Sequence, residues 1–304
     1  MRIVFMGTPD FAAKSLEKLY KERHDEIVGV FTQPDKPRNR GLKVSYSPVK
    51  ELALSHKTPI FQPATLKNNE SADILRNIEC DLLIVVAYGK ILPKELIEIP
   101  KFGAINIHGS LLPKYRGAAP IQWAIMNGEN KTGVTSQFIT EEIDAGDIIL
   151  KKETSIDEEE TTGELFQRLS ILGAELLIDT VKLISSGTVI RKPQDKTLAT
   201  FAPLITKDMI PINWSKSAFS IKCHVRALAP KPGATFDYEE LKLKVFKTEI
   251  GSRSIIDGIA PGKIISKGNH GIEVACADGT VLVTELQAPG GKRMSAADFL
   301  RGRE

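Results

Sequence analysis

With 304 residues, 42% of them hydrophobic and 26% charged, the chain has the make-up of an ordinary globular protein and the length for two domains. Its longest apolar run, Leu82 to Tyr88, is too short to cross a bilayer, and Met1-Arg2-Ile3-Val4-Phe5-Met6-Gly7 lacks the features of a secretory signal; a cytoplasmic protein with no membrane partner is expected. The net charge of +3 is unevenly spread: residues 209–304 carry 14 Lys+Arg against 10 Asp+Glu, leaving 27 against 28 for residues 1–208.

The first half alternates short apolar runs with helical patterns, which predicts an open, mostly parallel, Rossmann-like sheet covered on both faces. Strands are expected at 2–6, 27–31, 82–87 and 103–107, and helices at about 9–23, 48–56, 67–78 and 119–127. Thr8 and Pro9 read as the start of the first helix. The loop 34–50 carries Lys36, Arg38, Arg40, Lys43 and Lys50 against the single acid Asp35. Two strand-like segments follow at 133–139 and 147–152, then a long helix at about 161–186 opened by Thr161 or Thr162. The Pro-containing stretch 190–208 reads as a linker, so the expected domains are 1–189 and 209–304. Past a helical segment at about 215–227, short strands separated by turn signals such as Lys231-Pro232-Gly233 and Ala277-Asp278-Gly279 predict a small OB-like β-barrel.

The three cysteines, Cys80, Cys223 and Cys276, form no Cys-x-x-Cys pair and are expected to be buried small hydrophobes. His24, His56, His224 and His270 are scattered, and no metal site is expected. The most informative segment runs from Gly103 to Pro113. Residues two apart on a strand share a face, so Asn106 and His108 project together, at the carboxyl end where open α/β sheets bind ligands. An amide N–H donates to a developing oxyanion, and an imidazole stabilises the same charge or moves a proton. The plain alternative is a strand-end cap and a satisfied turn histidine. Asp144, in the turn Ile143-Asp144-Ala145-Gly146-Asp147, would orient His108 if the fold brings it there, although Asp and Gly are also what a tight turn requires.

The run 106–122, Asn-Ile-His-Gly-Ser-Leu-Leu-Pro-Lys-Tyr-Arg-Gly-Ala-Ala-Pro-Ile-Gln, together with Asp144-Ala145-Gly146-Asp147, resembles the signature of the folate-dependent formyltransferases. Within that group Gly7-Thr8-Pro9-Asp10-Phe11-Ala12, Phe31-Thr32-Gln33-Pro34-Asp35 and Val86-Ala87-Tyr88-Gly89-Lys90-Ile91-Leu92-Pro93 are similar to the members that act on methionyl-tRNA. The resemblance implies 10-formyltetrahydrofolate as co-substrate, initiator methionyl-tRNA as acceptor, and Asn106, His108 and Asp144 as the catalytic trio. It also implies that Ser110, Leu111, Leu112 and Pro113 lie against the reduced folate, with Val86, Tyr88, Gly89, Ile91, Leu92 and Thr140 around the pterin. Arg38, Arg40 and Lys43 would reach the tRNA, helped by a tRNA-binding C-terminal domain. A monomer is expected.

Three other readings compete. A nicotinamide-linked oxidoreductase needs a Gly-rich turn after the first strand, and Gly7-Thr8-Pro9-Asp10 lacks the second and third glycines. A non-catalytic RNA-binding protein leaves Asn106, His108 and Asp144 unexplained. A sister formyltransferase acting on an amino-sugar nucleotide or on glycinamide ribotide shares the trio and differs only in the basic loop and C-terminal half.

Overall fold

The computed structural model describes residues 1–23, 26–37, 44–252 and 259–303. By packing, the chain divides into two compact units that interleave in sequence. The first comprises Met1–Gly117, Thr132–Thr154 and Phe166–Ala202; the second comprises Ala118–Lys131, Ser155–Leu165 and Pro203–Glu304.

In the first unit, strands β1 (Ile3–Gly7), β2 (Ile27–Phe31), β3 (Lys36–Pro37), β4 (Val44–Ser45), β5 (Ile60–Phe61), β6 (Leu82–Val86), β7 (Ala104–His108), β8 (Lys131–Phe138) and β9 (Ile148–Ser155) alternate with helices. The helices here are α1 (Asp10–Arg23), α2 (Pro48–Ser55), α3 (Glu70–Asn77) and α4 (Lys94–Glu98); α5 (Pro120–Met126) follows in the chain but belongs to the second unit, and α6 (Thr162–Ser186) returns to the first from Phe166 on. Seven of the strands form one sheet in the order β5-β2-β1-β6-β7-β8-β9. Pairing is parallel from β5 through β7, and β8 joins β7 antiparallel. Every residue of β1 and β6 is buried, as uninterrupted apolar runs in a sheet covered on both faces should be.

Alternation assigns the faces. Val4, Met6, Leu83 and Val85 join Tyr88, Leu92 and Leu96 in one core cluster with residues of α3. On the other face, a Cβ placed on Gly173 of α6 would stand 3.1 Å from Ile107 Cγ2, and Phe166 of α6 meets Phe11 of α1 edge-on at 5.3 Å. Ile105 and Ile107 therefore point toward α6, and Asn106 and His108 point away from it.

Two local expectations change. Thr8 does not cap α1; its hydroxyl donates to the Tyr88 carbonyl at 3.2 Å and accepts the Gln33 N–H at 3.4 Å, so it ties three sheet-end loops together. Residues 191–202, expected within a linker, are built into the first unit: Lys192 exchanges backbone hydrogen bonds with Ile148, and the Arg116 N–H and C=O bond Thr200 and Ala202. Their proline content and lack of periodicity reflect docking on loops rather than freedom.

The second unit is an antiparallel sheet of β10 (Ala234–Tyr238), β11 (Leu241–Ile250), β12 (Ile264–Gly268), β13 (Gly271–Cys276), β14 (Gly279–Gln287) and β15 (Arg293–Ser295). Its order is β10-β11-β14-β13-β12, with β15 on β14. Helix α7 (Ala218–Leu228), capped by Ser217, packs on β11 and β14, and α5 packs on α7. Helix α8 (Ala296–Arg301) closes the core with Ala296 and Phe299. The capping expectation at Thr161 holds: its N–H and hydroxyl meet the Glu164 carboxylate at 2.9 and 2.7 Å. The Rossmann-like half and the antiparallel C-terminal half are both as expected from sequence. All three cysteines are buried and free, and burial pushes the Cys80 thiol up to about 12. Among the described residues no helix is long and apolar enough to cross a membrane, and no group of three or more His, Cys, Asp or Glu side chains is placed to hold a metal ion.

Candidate active site

Strand β7 ends at His108, and the loop after it turns back toward the hairpin joining β8 and β9. His108 is 6% exposed. Its Nε2 lies 2.9 Å from the Tyr115 carbonyl oxygen, which only accepts, so Nε2 carries a proton. Its Nδ1 faces Asp144 Oδ2 at 3.5 Å. Sequence placed these two residues on separate elements; the fold brings them face to face. Asn106, two residues earlier on the same face, pairs with Val85 of β6 and Gln137 of β8 in register. Among the described residues its side-chain amide makes no hydrogen bond, which leaves both N–H groups for another acceptor.

Asp144 is held from several sides. Oδ2 accepts the Gly117 N–H at 2.8 Å and Oδ1 accepts Gln137 Nε2 at 2.9 Å. These donors satisfy an acceptor-only carboxylate while leaving one edge toward the imidazole. The residue has φ 51°, the left-handed region that is uncommon for a side-chain-bearing residue and recurs at functional sites. Gly117 has φ 120°, and a Cβ there would come within 2.8 Å of the Ala202 carbonyl oxygen, so the Asp144-binding N–H sits at a position fitted to glycine.

The loop from Ser110 to Pro113 is firmly braced. Ser110 Oγ donates to the Lys114 carbonyl at 2.6 Å. Thr135 Oγ1 donates to the Ser110 carbonyl at 2.7 Å and accepts the Leu112 N–H at 3.1 Å. Lys151 Nζ donates to the Leu112 carbonyl, and burial, reinforced by Lys192, holds that amine below the ordinary lysine range. Leu112 is fully buried, while Leu111 and Pro113 are half-buried.

Around Val86 to Leu92 the side chains divide. Val86, Tyr88 and Leu92 are buried, whereas Gly89 is exposed and Ile91 is 73% exposed. Ala87 at φ 45° and Gly89 at φ 83° reverse the chain, sending the Tyr88 ring into the core. The Tyr88 carbonyl accepts from Thr8 Oγ1 and from Gln33 Nε2 at 3.0 Å. Its phenol hydroxyl is buried without a partner among the described residues, and burial pushes it up to about 12. Tyr88→Phe is therefore expected to raise stability by about 1 kcal/mol, read by chemical denaturation; a loss of stability would mean that the hydroxyl is bonded. Thr140 is exposed, with Oγ1 donating to the Glu142 carbonyl at 3.1 Å. Arg38, Arg40 and Lys43 lie outside the described residues. At the ends of their loop Lys50 pairs with Asp35 and donates to Gln62 Oε1 at 2.8 Å.

Three residues of this site carry no signal that composition or periodicity detects. Arg116 is 2% exposed, and Gln137 and Gln194 join it in a hydrogen-bonded chain around Asp144. Arg116 stands inside the motif loop, Gln137 is marked only by its register opposite Asn106, and Gln194 is not marked at all.

Known proteins resemble this chain over its whole length. The family described as "Formyl transferase" matches residues 1–181, and "Formyl transferase, C-terminal domain" matches residues 204–304. Proteins named methionyl-tRNA formyltransferase from Ruminiclostridium cellulolyticum and Alkaliphilus oremlandii are 45% and 47% identical, over 100% and 99% of this chain and 97% and 96% of their own. An N-formyltransferase structure from Helicobacter canadensis, in complex with folinic acid and dTDP-3-aminofucose, superposes with TM-score 0.68 at 19% identity, covering 93% of this chain and 98% of its own. HypX from Aquifex aeolicus in complex with tetrahydrofolic acid superposes with TM-score 0.65 at 17% identity, over 99% of this chain and 47% of its own.

Proposed function

We propose, from the premise that this chain belongs to the formyl transferase family, that it transfers the formyl group of 10-formyltetrahydrofolate to the α-amino group of methionyl-initiator tRNA in the cytosol. The observation that carries the chemistry is the convergence of Asn106, His108 and Asp144 at the carboxyl end of β7. The acceptor follows from full-length relatives of nearly half identity that bear the name methionyl-tRNA formyltransferase.

The folate supplies a formyl carbonyl on a nitrogen leaving group. The chain's part is to hold it, polarise it and move protons. Gly89 to Leu92 belongs to no helix or strand, and a segment of this kind suits the hydrogen-bonding edge of a pterin, with exposed Ile91 offering apolar contact. Thr140 and the Ser110–Pro113 loop would complete the holder, and the bracing of that loop by Thr135 and Lys151 makes it a rigid wall.

As an amine adds to the formyl carbon, negative charge gathers on the carbonyl oxygen. The unengaged Asn106 amide donates to it, and the His108 ring, held between Asp144 and the Tyr115 carbonyl, stabilises the same charge. As the tetrahedral adduct collapses, the bond from carbon to N10 breaks and the carbonyl re-forms; the proton given up by the attacking amine passes through the His108 ring to N10, with Asp144 keeping the imidazole oriented. Asn106→Ala is expected to lower kcat by ~10²-fold with KM for both substrates little changed, because the bond forms chiefly in the transition state. Steady-state kinetics check this, and unchanged turnover removes Asn106 from the reaction.

In this reading the first unit, which extends past residue 189 to Ala202, holds the chemistry, while residues 209–304 and the loop cations Arg38, Arg40 and Lys43 bind tRNA phosphates. The deciding experiment measures formyl transfer from 10-formyltetrahydrofolate to charged initiator tRNA, with free methionine and uncharged tRNA as controls. Product is expected with the charged tRNA alone. Preferential formylation of an amino-sugar nucleotide or of glycinamide ribotide would assign the chain to a sister activity instead.

A further inference from the structure

We propose that Gln194 is a positioning residue of the reaction, holding Asp144 where its carboxylate faces His108; this rests on the roles assigned to those two residues above. Gln194 belongs to no helix or strand and lies in the stretch after α6 that docks on the first unit. Its amide oxygen accepts from Arg116 Nε at 3.2 Å and Nη2 at 2.9 Å. A guanidinium only donates, so the amide oxygen must face Arg116 and the amide nitrogen must face away from it.

On that side Nε2 meets Gln137 Oε1 at 3.1 Å, the Asp144 carbonyl at 2.9 Å and the Gly146 carbonyl at 2.8 Å. The same logic orients the next amide: with its oxygen taken by Gln194, Gln137 turns its Nε2 to Asp144 Oδ1. The outcome is a directed chain from Arg116 through Gln194 and Gln137 to the carboxylate, each link polarising the next. Glu142, which is more than half exposed, pairs with Arg116 Nη1 at 3.2 Å and balances the buried cation from outside.

Asp144 needs this support. Its left-handed backbone persists only where the surroundings over-determine it, and the carbonyls of Asp144 and Gly146 are tied to one amide group. Gln194 thus fixes both the strained turn, directly, and the carboxylate, through Gln137. A loss of this geometry misplaces the group that orients His108 without touching either substrate.

The test is a double-mutant cycle on the full chain, using Gln194→Ala, Gln194→Glu and Asp144→Asn, followed by steady-state kinetics of formyl transfer. Gln194→Ala is expected to lower kcat by ~10–100-fold, with KM for folate and tRNA changed by less than about twofold. In the Asp144→Asn background its further cost should shrink to less than about twofold, because the group it positions has already been disabled. Gln194→Glu keeps the size and the Arg116 contact but sets a carboxylate against three acceptor oxygens, so it should be as impaired as Gln194→Ala; it decides the matter if the alanine variant does not fold. Turnover at the wild-type level in Asp144→Asn would overturn the role of Asp144 itself. An inactive Asp144→Asn beside fully active Gln194 variants, or an equal cost of Gln194→Ala in both backgrounds, would overturn the inference about Gln194 alone.

Discussion

His108→Ala is expected to lower kcat for formyl transfer by ~10³-fold while KM for folate and for tRNA stays within about threefold. Proton transfer by a positioned side chain and charge stabilisation in a water-poor site act on the same carbonyl, and the imidazole supplies both. Binding should survive because the predicted folate contacts belong to other elements, the loops 86–92 and 110–113. Removing the ring also removes its hydrogen bond to the Tyr115 carbonyl and its contact with Asp144, at a cost of about 1–3 kcal/mol. Kinetics and thermal unfolding, measured on one preparation, separate these effects. A kinetic loss no greater than the structural one, roughly tenfold or less, would return His108 to the role of a satisfied buried histidine.

The parts legible in the sequence are those whose physics is local. The buried runs Ile3–Gly7 and Leu82–Val86 announce a parallel sheet, and the spacing of Asn106 and His108 puts them on one face at a strand end. Short elements escape such reading: β5 is two residues long and α4 five, too brief for any period to show. The grouping of 118–131 and 155–165 with the C-terminal half escapes for another reason. Helix α5 is a sound helical segment, but packing on α7 is a tertiary choice that local pattern does not encode. The site divides in the same way. Asp144 was found through a motif, whereas the amides that hold it, Gln137 and Gln194, are 57 positions apart and meet only in the fold. An uncharged amide leaves no trace in charge or hydrophobic pattern, so supports of this kind are found by following hydrogen bonds outward from a reactive group.

That outward path makes Gly146→Ala the most damaging small substitution expected in the chain. Gly146 is buried at the end of the β8–β9 hairpin, and a Cβ there would stand 1.8 Å from the Phe138 carbonyl oxygen and 2.8 Å from its carbon. Both atoms are backbone, and the Phe138 N–H also donates to the Asp147 carbonyl at 2.9 Å, so no flexible side chain can yield. The hairpin end must open, which strains the Gln194 bond to the Gly146 carbonyl and shifts Asp144, two residues away. Overpacking of this kind costs about 3 kcal/mol, or a fall of roughly 6–12 °C in Tm for a domain of this size. Displacing Asp144 by about 1 Å adds a ~10²-fold loss of kcat, measurable in the fraction that remains folded. Gly268→Ala is the matched control, since nothing lies within 4 Å of its added methyl and a change of no more than about 0.5 kcal/mol is expected. If Gly146→Ala proves as mild as that control in both stability and turnover, the hairpin does not hold Asp144 as described, and the orientation of His108 has another source.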